Sequence, residues 1–345
     1  MTWPSAVLGW DIGGVNTKAV RLEPGPDGPT LRNTSVPFEL KHDPGALGLT
    51  LTRTARQLGV AASDLHAVTM TGELSQAFRT KREGVGFILD ALEAIFPGSN
   101  LHIYCVDGRF VPPEEARGLP LAVAAANWAA TAGLVARSTP TCVLIDIGTT
   151  SSDLIPIVGG EVMVQGHTDP ERLLSGELVY TGALRTPVEA VARQVPLWGG
   201  SSGVAADGFA LMGDAHLWLQ RLDPGDYTCS PPDGRTPSRE SAGERLARVV
   251  CADREMLDDA AIDAIATSLA AAQMRTIAEG LERILRRWPG ITSAVVTGLG
   301  DFIAADAARA VGLDVIPLAN QLGGAARTAP AAAVAWLLWH QLAEG

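Results

Sequence analysis

The chain lacks most of what would tie it to nucleic acid, a membrane or an oxidising compartment. Positive charge is in deficit, with 27 Lys and Arg against 38 Asp and Glu and a formal charge of −11. That balance argues against nucleic acid or an anionic membrane as the main partner. The apolar stretches 121–136 and 331–342 are interrupted by polar residues. They fall short of the roughly 18 continuous apolar positions of a membrane span and read as buried helices. No basic stretch precedes an apolar run near the start, so no secretory signal is expected. The four cysteines, Cys105, Cys142, Cys229 and Cys251, lack paired metal-ligand spacing. Buried thiols in a reducing cytoplasm are expected, rather than disulfides or a zinc site. The six histidines show no pairing on one helical turn, and no low-complexity or coiled-coil segment appears.

What remains is a composition of 47% apolar and 19% charged residues, that of a soluble globular protein. At 345 residues the chain is too long for one ordinary core, so two domains are expected.

The most informative feature is a duplicated pattern. LGWDIGGVNTKAVRL runs from Leu8 to Leu22 and VLIDIGTTSSDLIPI from Val143 to Ile157. Each reads as a buried strand ending in Asp-Ile-Gly, a turn of small residues, and a second apolar strand. Asp11 pairs with Asp146, Gly13 with Gly148 and Thr17 with Ser152. Glycines and hydroxyls at such a tip can aim backbone N–H groups at phosphate oxygens. The aspartate at the strand end can hold a divalent cation, because hard cations prefer oxygen ligands.

Between the copies, PGPDGP (24–29) reads as a hairpin turn and LRNTSVPF as the returning strand. Helical spacing follows over 44–59 with Asp43 as cap, then a strand over 66–74, a helix over 82–96 and a strand over 101–108. The small-residue segment 121–136 reads as one helix, either a crossing element between domains or an ordinary core helix. The second half is expected to carry strands at 142–147, 154–157 and 161–165, and helices near 206–221, 244–252 and 260–287. The polar loop LDPGDYTCSPPDGRTPS reads as a surface lid, an insertion or a connection. SAVVTGLGDFIA (293–304) reads as strand, glycine turn and helix start, and 331–342 as a last helix.

This order resembles the actin, sugar-kinase and Hsp70-like ATPase superfamily, and implies an α/β fold, a duplicated ribonuclease-H-like pair of domains with a cleft between them. The resemblance implies a first phosphate loop at Gly13–Lys18, including Gly14, Asn16 and Thr17. It implies a second at Gly148, Thr149, Thr150, Ser151 and Ser152, and a third glycine turn at Gly298, Gly300 and Asp301. Residues 1–138 would form the first domain, with 331–345 returning to it, and 139–330 the second, with an insertion or lid near 199–240.

Within that superfamily DIGGVNTKA, MTGELSQAF, VDGRFVPPEEA, ANWAATA, DIGTTSSDLIPI and YTGALRTPV occur in order. Together they resemble the tetrahydromethanopterin-linked one-carbon transfer pathway family, beside the hydantoinase A/oxoprolinase proteins. That family includes the methanofuran-biosynthesis ether synthase of methanogens. The resemblance implies a transferase joining the diphosphate ester of 5-(aminomethyl)-3-furanmethanol to γ-glutamyltyramine, with release of diphosphate. It gives no residue-level support over 199–289.

A diphosphate clamp would use Lys18 as a point charge, Asp11 and Asp146 for Mg²⁺, and Arg185 for a phosphate or the glutamyl carboxylate. Asp153 could orient a metal-bound water or act as base, or be a paired turn carboxylate. Lys18 could equally be a solvated strand residue, and Arg185 part of a structural ion pair. Glu73, Asp107, Arg109 and His167 are lesser candidates, each with a structural turn as the plainer reading. The partners expected are a small diphosphate ester and a phenolic amine derivative, with no nucleic acid or membrane and the oligomeric state open. ATP enters under the alternatives: a small-molecule kinase, a hydantoinase-like hydrolase or a nucleotide-dependent switch.

Overall fold

The structure is a computed structural model that describes residues 6–26, 28–96 and 100–344. Asp27, in the expected hairpin turn 24–29, lies outside the described residues. The chain divides into two compact units. One holds the residues up to Leu144, Ile155–Arg172 and the segment from Pro317 onward; the other holds Ile145–Leu154 and Leu173–Ile316.

The first sheet is built from β1 (Val7–Ile12), β2 (Asn16–Glu23), β3 (Thr30–Pro37), β4 (Leu65–Met70), β5 (Leu101–Tyr104) and β6 (Phe110–Val111). Its order is β3-β2-β1-β4-β5-β6. β1 is antiparallel to β2 and parallel to β4, the mixed arrangement of a ribonuclease-H-like sheet. β1 is buried at every position, as expected of a central strand covered on both faces. One face carries the helices Leu47–Leu58 and Lys81–Glu93, whose Leu47, Leu51, Ile88 and Leu89 pack with Leu8, Trp10 and Ile12 in one core. Asp43 accepts from the Ala46 N–H ahead of the first of these helices, and Gly59 ends it in the left-handed conformation.

The last helix, Ala329–Glu344, packs on β1, β2 and β4. It comes so close that a Cβ at Gly9 would lie 1.9 Å from the Ala331 carbonyl oxygen. The alanines of this helix are therefore a fit requirement, since larger side chains would hold the backbones apart.

The second sheet comprises β7 (Cys142–Ile147), β8 (Ser152–Val158), β9 (Glu161–Val162), β10 (Leu178–Val179), β13 (Ser293–Gly298) and β14 (Asp314–Pro317). Its order is β10-β8-β7-β13-β14, with β9 also paired to β8. The central order of the first sheet is thus repeated, except that its third strand is replaced by two short ones. β9 pairs with Ile157 and Val158, and β10 with Ser152 and Asp153.

A separate hairpin, β11 (Gln194–Leu197) and β12 (Gly200–Gly203), belongs to the second unit. Its turn residues Trp198 and Gly199 both have positive φ, 49° and 79°, as two-residue hairpin turns of the primed type require. This hairpin is absent from the sequence-based expectation. A cluster of Val188, Val195, Met212, Leu246, Ile262 and Leu269 anchors it to the helices that follow.

Three expectations need correction. The single helix over 121–136 is two helices, Pro120–Val123 and Asn127–Ser138. Ala124 is extended and bridges Met70, and Ala125 takes a φ of 52°, so a tertiary bridge overrides helix propensity. The helix expected over 206–221 spans Met212–Trp218, because Asp214 accepts from the Leu211 N–H and starts it there. Cys251 is exposed, while the other three cysteines are buried.

Candidate active site

Each copy of the Asp-Ile-Gly pattern forms the same backbone turn. In the first unit the Gly13 N–H donates to the Asn16 carbonyl at 3.0 Å; in the second Gly148 donates to Ser151, also at 3.0 Å. Both turns are closed from outside by the end of another strand. Thr71, after β4, donates to the Ile12 carbonyl, and Gly300, after β13, donates to the Ile147 carbonyl, each at 2.9 Å.

In the first turn, Lys18 stands opposite Asp11 in the β1–β2 register, with Nζ 3.5 Å from Asp11 Oδ2. A Cβ at Gly13 would lie 2.8 Å from the Asn16 carbonyl oxygen, so the turn admits glycine there. Gly14 meets no such limit, with nothing within 4 Å of a Cβ. Asn16 Oδ1 is buried without a hydrogen-bond partner. An acceptor left so costs about 1–3 kcal/mol, and a cation would satisfy it. Thr17 is wholly enclosed, and its hydroxyl has no hydrogen-bond partner.

Glu73 follows Gly72, whose Cβ would lie 3.3 Å from the Gly13 carbonyl carbon. The Glu73 side chain is 1% exposed, and neither oxygen has a hydrogen-bond partner. Burial pushes its carboxyl up to about 7, against the pull of Lys81. Lys81 Nζ lies 3.7 Å from Glu73 and 2.5 Å from Asp169, which heads the helix Asp169–Ser175. This cluster of Glu73, Lys81 and Asp169 joins segments far apart in sequence, and only Glu73 was a sequence candidate.

In the second turn, Thr149, Thr150 and Ser151 are half-buried, with the Thr149 and Thr150 hydroxyl oxygens 3.4 Å apart. The segment Thr181–Arg185 lies directly on this turn. Ala183 donates to the Gly148 carbonyl at 2.9 Å, and Leu184 and Arg185 donate to the Thr149 carbonyl at 3.2 and 2.9 Å. A Cβ at Gly182 would lie 2.5 Å from the Thr150 nitrogen. Arg185 is thereby carried to the second turn, and its guanidinium has no ion-pair partner among the described residues.

Gly298 also belongs to this turn. It has φ +93°, and a Cβ there would lie 2.5 Å from Asp146 Oδ1 and 2.3 Å from the Ile147 carbonyl oxygen. A Cβ at Gly300 would meet the Ile147 side chain at 2.5 Å. Asp301 starts the helix Asp301–Ala310 and is exposed. Asp153 is buried in β8, opposite Leu178.

A family model described as hydantoinase/oxoprolinase matches residues 64–341. The chain belongs to the hydantoinase/oxoprolinase family. Over 338 residues it is 36% identical to the (4-{4-[2-(gamma-L-glutamylamino)ethyl]phenoxymethyl}furan-2-yl)methanamine synthase of Methanocaldococcus jannaschii, covering 97% of this chain and 98% of that one. A synthase of the same name from Methanococcus vannielii is 34% identical over 167 residues, 48% of this chain and 74% of that one. Among solved structures, a nucleotide-free acetone carboxylase superposes with a TM-score of 0.62 at 11% identity, over 96% of this chain and 70% of that one. The last likeness is one of fold.

Three lesser candidates of this hydantoinase/oxoprolinase family member sit in surface turns. Asp107 accepts from the Arg109 N–H and Nε, and the Arg109 side chain is 58% exposed. His167 is exposed, with its backbone N–H given to Glu171. Sequence reasoning missed the role of Gly182, although it lies in the quoted YTGALRTPV. The signal was the Thr-Gly pair itself, which recurs at each of the three segments that touch a turn: 71–72, 181–182 and 297–298.

Proposed function

We propose that this chain is a transferase of methanofuran-type cofactor biosynthesis. It joins the diphosphate ester of 5-(aminomethyl)-3-furanmethanol to γ-glutamyltyramine, giving the aryl ether and diphosphate. The observation that carries this reading is the 36% identity across 97% of the chain to a synthase whose name describes that phenoxymethyl-furan product.

In the reaction the phenol oxygen bonds to the furfuryl carbon. The carbon–oxygen bond to diphosphate breaks with its electron pair on the leaving group, and the phenol proton passes to a base. The electron-rich ring shares the positive charge that develops on the carbon. The protein supplies preorganised donors for the departing anion. Our candidates for that task are, in the second unit, the N–H groups and hydroxyls of Gly148–Ser151 and Arg185, and, considered separately in the first unit, Lys18, Gly13, Gly14 and Asn16.

Mg²⁺ suits oxygen donors of the kind each turn offers, Asp11 with the unpartnered Asn16 Oδ1 in the first unit and Asp146 in the second, and these are our candidates to hold it. Among the described residues no group of three or more His, Cys, Asp or Glu is arranged around a metal. That suits an ion taking one or two carboxylates and the rest from substrate phosphates and water. When bound, Mg²⁺ would neutralise charge on the diphosphate.

Glu73 is our candidate for the base. A carboxyl poised near 7 matches general-base work at neutral pH. Asp153 is the alternative on the second half. No helix among the described residues is long and apolar enough to cross a membrane, and a cytoplasmic location completes the proposal.

The test mixes purified protein, Mg²⁺, the furanmethanol diphosphate and γ-glutamyltyramine without ATP, and follows ether and diphosphate by mass spectrometry. Ether with one equivalent of diphosphate is expected. No ether, but phosphorylated product from ATP and an alcohol, would transfer the chain to the kinases.

A further inference from the structure

The segment that covers the second turn is held from beneath by a buried polar chain, and the direction of each hydrogen bond in it can be deduced. Gln273 lies on the helix Asp259–Arg287, which Asp258 caps by accepting from the Ala261 N–H. Its side chain is wholly buried. Nε2 lies 2.8 Å from both Thr181 Oγ1 and the Gly182 carbonyl oxygen. A carbonyl oxygen can only accept, so the amide nitrogen must face Gly182, which fixes the orientation of the Gln273 amide.

With both amide protons engaged, Gln273 Oε1 is left as an acceptor. It faces His216 Nε2 at 2.8 Å, so that nitrogen carries the proton. His216 Nδ1 has no partner, which is where the lone pair of the neutral ring must lie. Burial holds the ring neutral by lowering its pKa to about 4, despite the Gln273 hydrogen bond. Thr181 Oγ1, accepting from Gln273, gives its own proton to Thr186 Oγ1 at 3.1 Å. Thr186 Oγ1 also accepts the Gly182 N–H at 3.0 Å. Both backbone groups of Gly182 are thus tied to this chain. The glycine itself presses on Thr149 and Thr150 with no room for a Cβ.

We propose that Gln273, oriented by His216, is a positioning residue for the second turn. It fixes Gly182, and through it Gly148–Ser151 and Arg185, in place for the diphosphate. The proposal rests on the reading of that turn as the diphosphate site. It gives the helical region 199–289, which carries no phosphate motif, a share in the chemistry. A network serving stability alone would affect the whole second unit evenly; a positioning residue acts on one turn.

The test compares wild type with Gln273→Leu, His216→Leu and His216→Gln, the last retaining an N–H donor toward Gln273. Amide hydrogen exchange is measured over 148–152, with 13–17 as internal reference. Inhibition by inorganic diphosphate and the KM of each substrate are measured alongside. In the two leucine variants, exchange over 148–152 should rise at least tenfold while 13–17 stays unchanged. Diphosphate inhibition should weaken at least tenfold, the KM of the diphosphate ester should follow it, and that of γ-glutamyltyramine should stay put. His216→Gln should recover most of each loss. Even acceleration of exchange through the second unit, both KM values moving together, or no change would overturn the proposal. A wild-type protein that makes no ether and is not inhibited by diphosphate would overturn the functional reading as well, and is recognised because the failure is in the wild type.

Discussion

Lys18 and Asp11 are cross-strand partners at the mouth of the first turn, 3.5 Å apart, whereas the matching position of the second turn is Asp153. The pair holds an ammonium group beside the turn without committing it to a buried contact, since the Lys18 side chain remains 25% exposed. Lys18→Ala should reduce turnover of the diphosphate ester by roughly 10²-fold or more, the usual cost of removing one donor to a developing anion. The melting temperature should hardly move, since a partly exposed ion pair adds little stability. Steady-state kinetics with a parallel thermal melt checks both, and wild-type kinetics would remove Lys18 from the site.

Magnesium dependence is the second expectation. Chelator should abolish ether formation and added Mg²⁺ restore it, while Asp146→Asn should raise the Mg²⁺ concentration needed for half-maximal rate. Titration of the rate with Mg²⁺ decides it; full activity in chelator would exclude a metal role for Asp11 and Asp146.

Glu73 makes a prediction about both stability and rate. Its carboxyl is raised to about 7 in the fold from an ordinary 4.5, so between these values the unfolded chain ionises while the folded one keeps its proton. The folded state then binds more protons, and stability contributed by this group falls as pH rises through that window. Glu73→Gln should flatten this slope in melts taken from pH 4.5 to 8. If Glu73 is the base, the same variant should lose the acidic limb near pH 7 in kcat/KM. Unaltered melting and rate profiles would show the carboxyl to be inert.

Two glycines at the two turns should respond very differently to alanine. At Gly182 a Cβ would meet the Thr150 nitrogen at 2.5 Å, backbone that cannot move without the turn. Gly182→Ala should cost about 1–3 kcal/mol, as overpacking does, and should impair diphosphate binding. Gly14→Ala, with nothing within 4 Å of its Cβ, should stay within about 0.5 kcal/mol of wild type. Denaturant melts and diphosphate inhibition measure the contrast.

The strands that carry the two turns were legible because a buried central strand followed by Asp-Ile-Gly leaves a local, repeated mark. The helix 259–287 was legible from its periodicity within one residue of its start. Other features depend on distant partners. The break at Ala124–Ala126 follows from the bridge to Met70, which no helix propensity records. Thr17 read as a phosphate donor from the composition of its turn, whereas its complete burial at the start of β2 required the fold. Glu73 was visible as a turn carboxylate, whereas its burial beside Lys81 and Asp169 required the fold. Gln273 and His216 had no local signal, because each finds its hydrogen-bond partners on segments distant in sequence.

The shared turn geometry separates what the two copies of the pattern have in common from where they differ. Gly13 to Asn16 and Gly148 to Ser151 close on the same backbone bond, a bond indifferent to the side chains hung upon it. The fold therefore constrains the loop of both halves alike and leaves the residue five positions after the glycine free to differ in sign. A chain carrying the second turn in both places would close on the same hydrogen bonds, yet neither turn would offer an ammonium group. The asymmetry of charge, not of shape, is what makes the two halves no longer interchangeable.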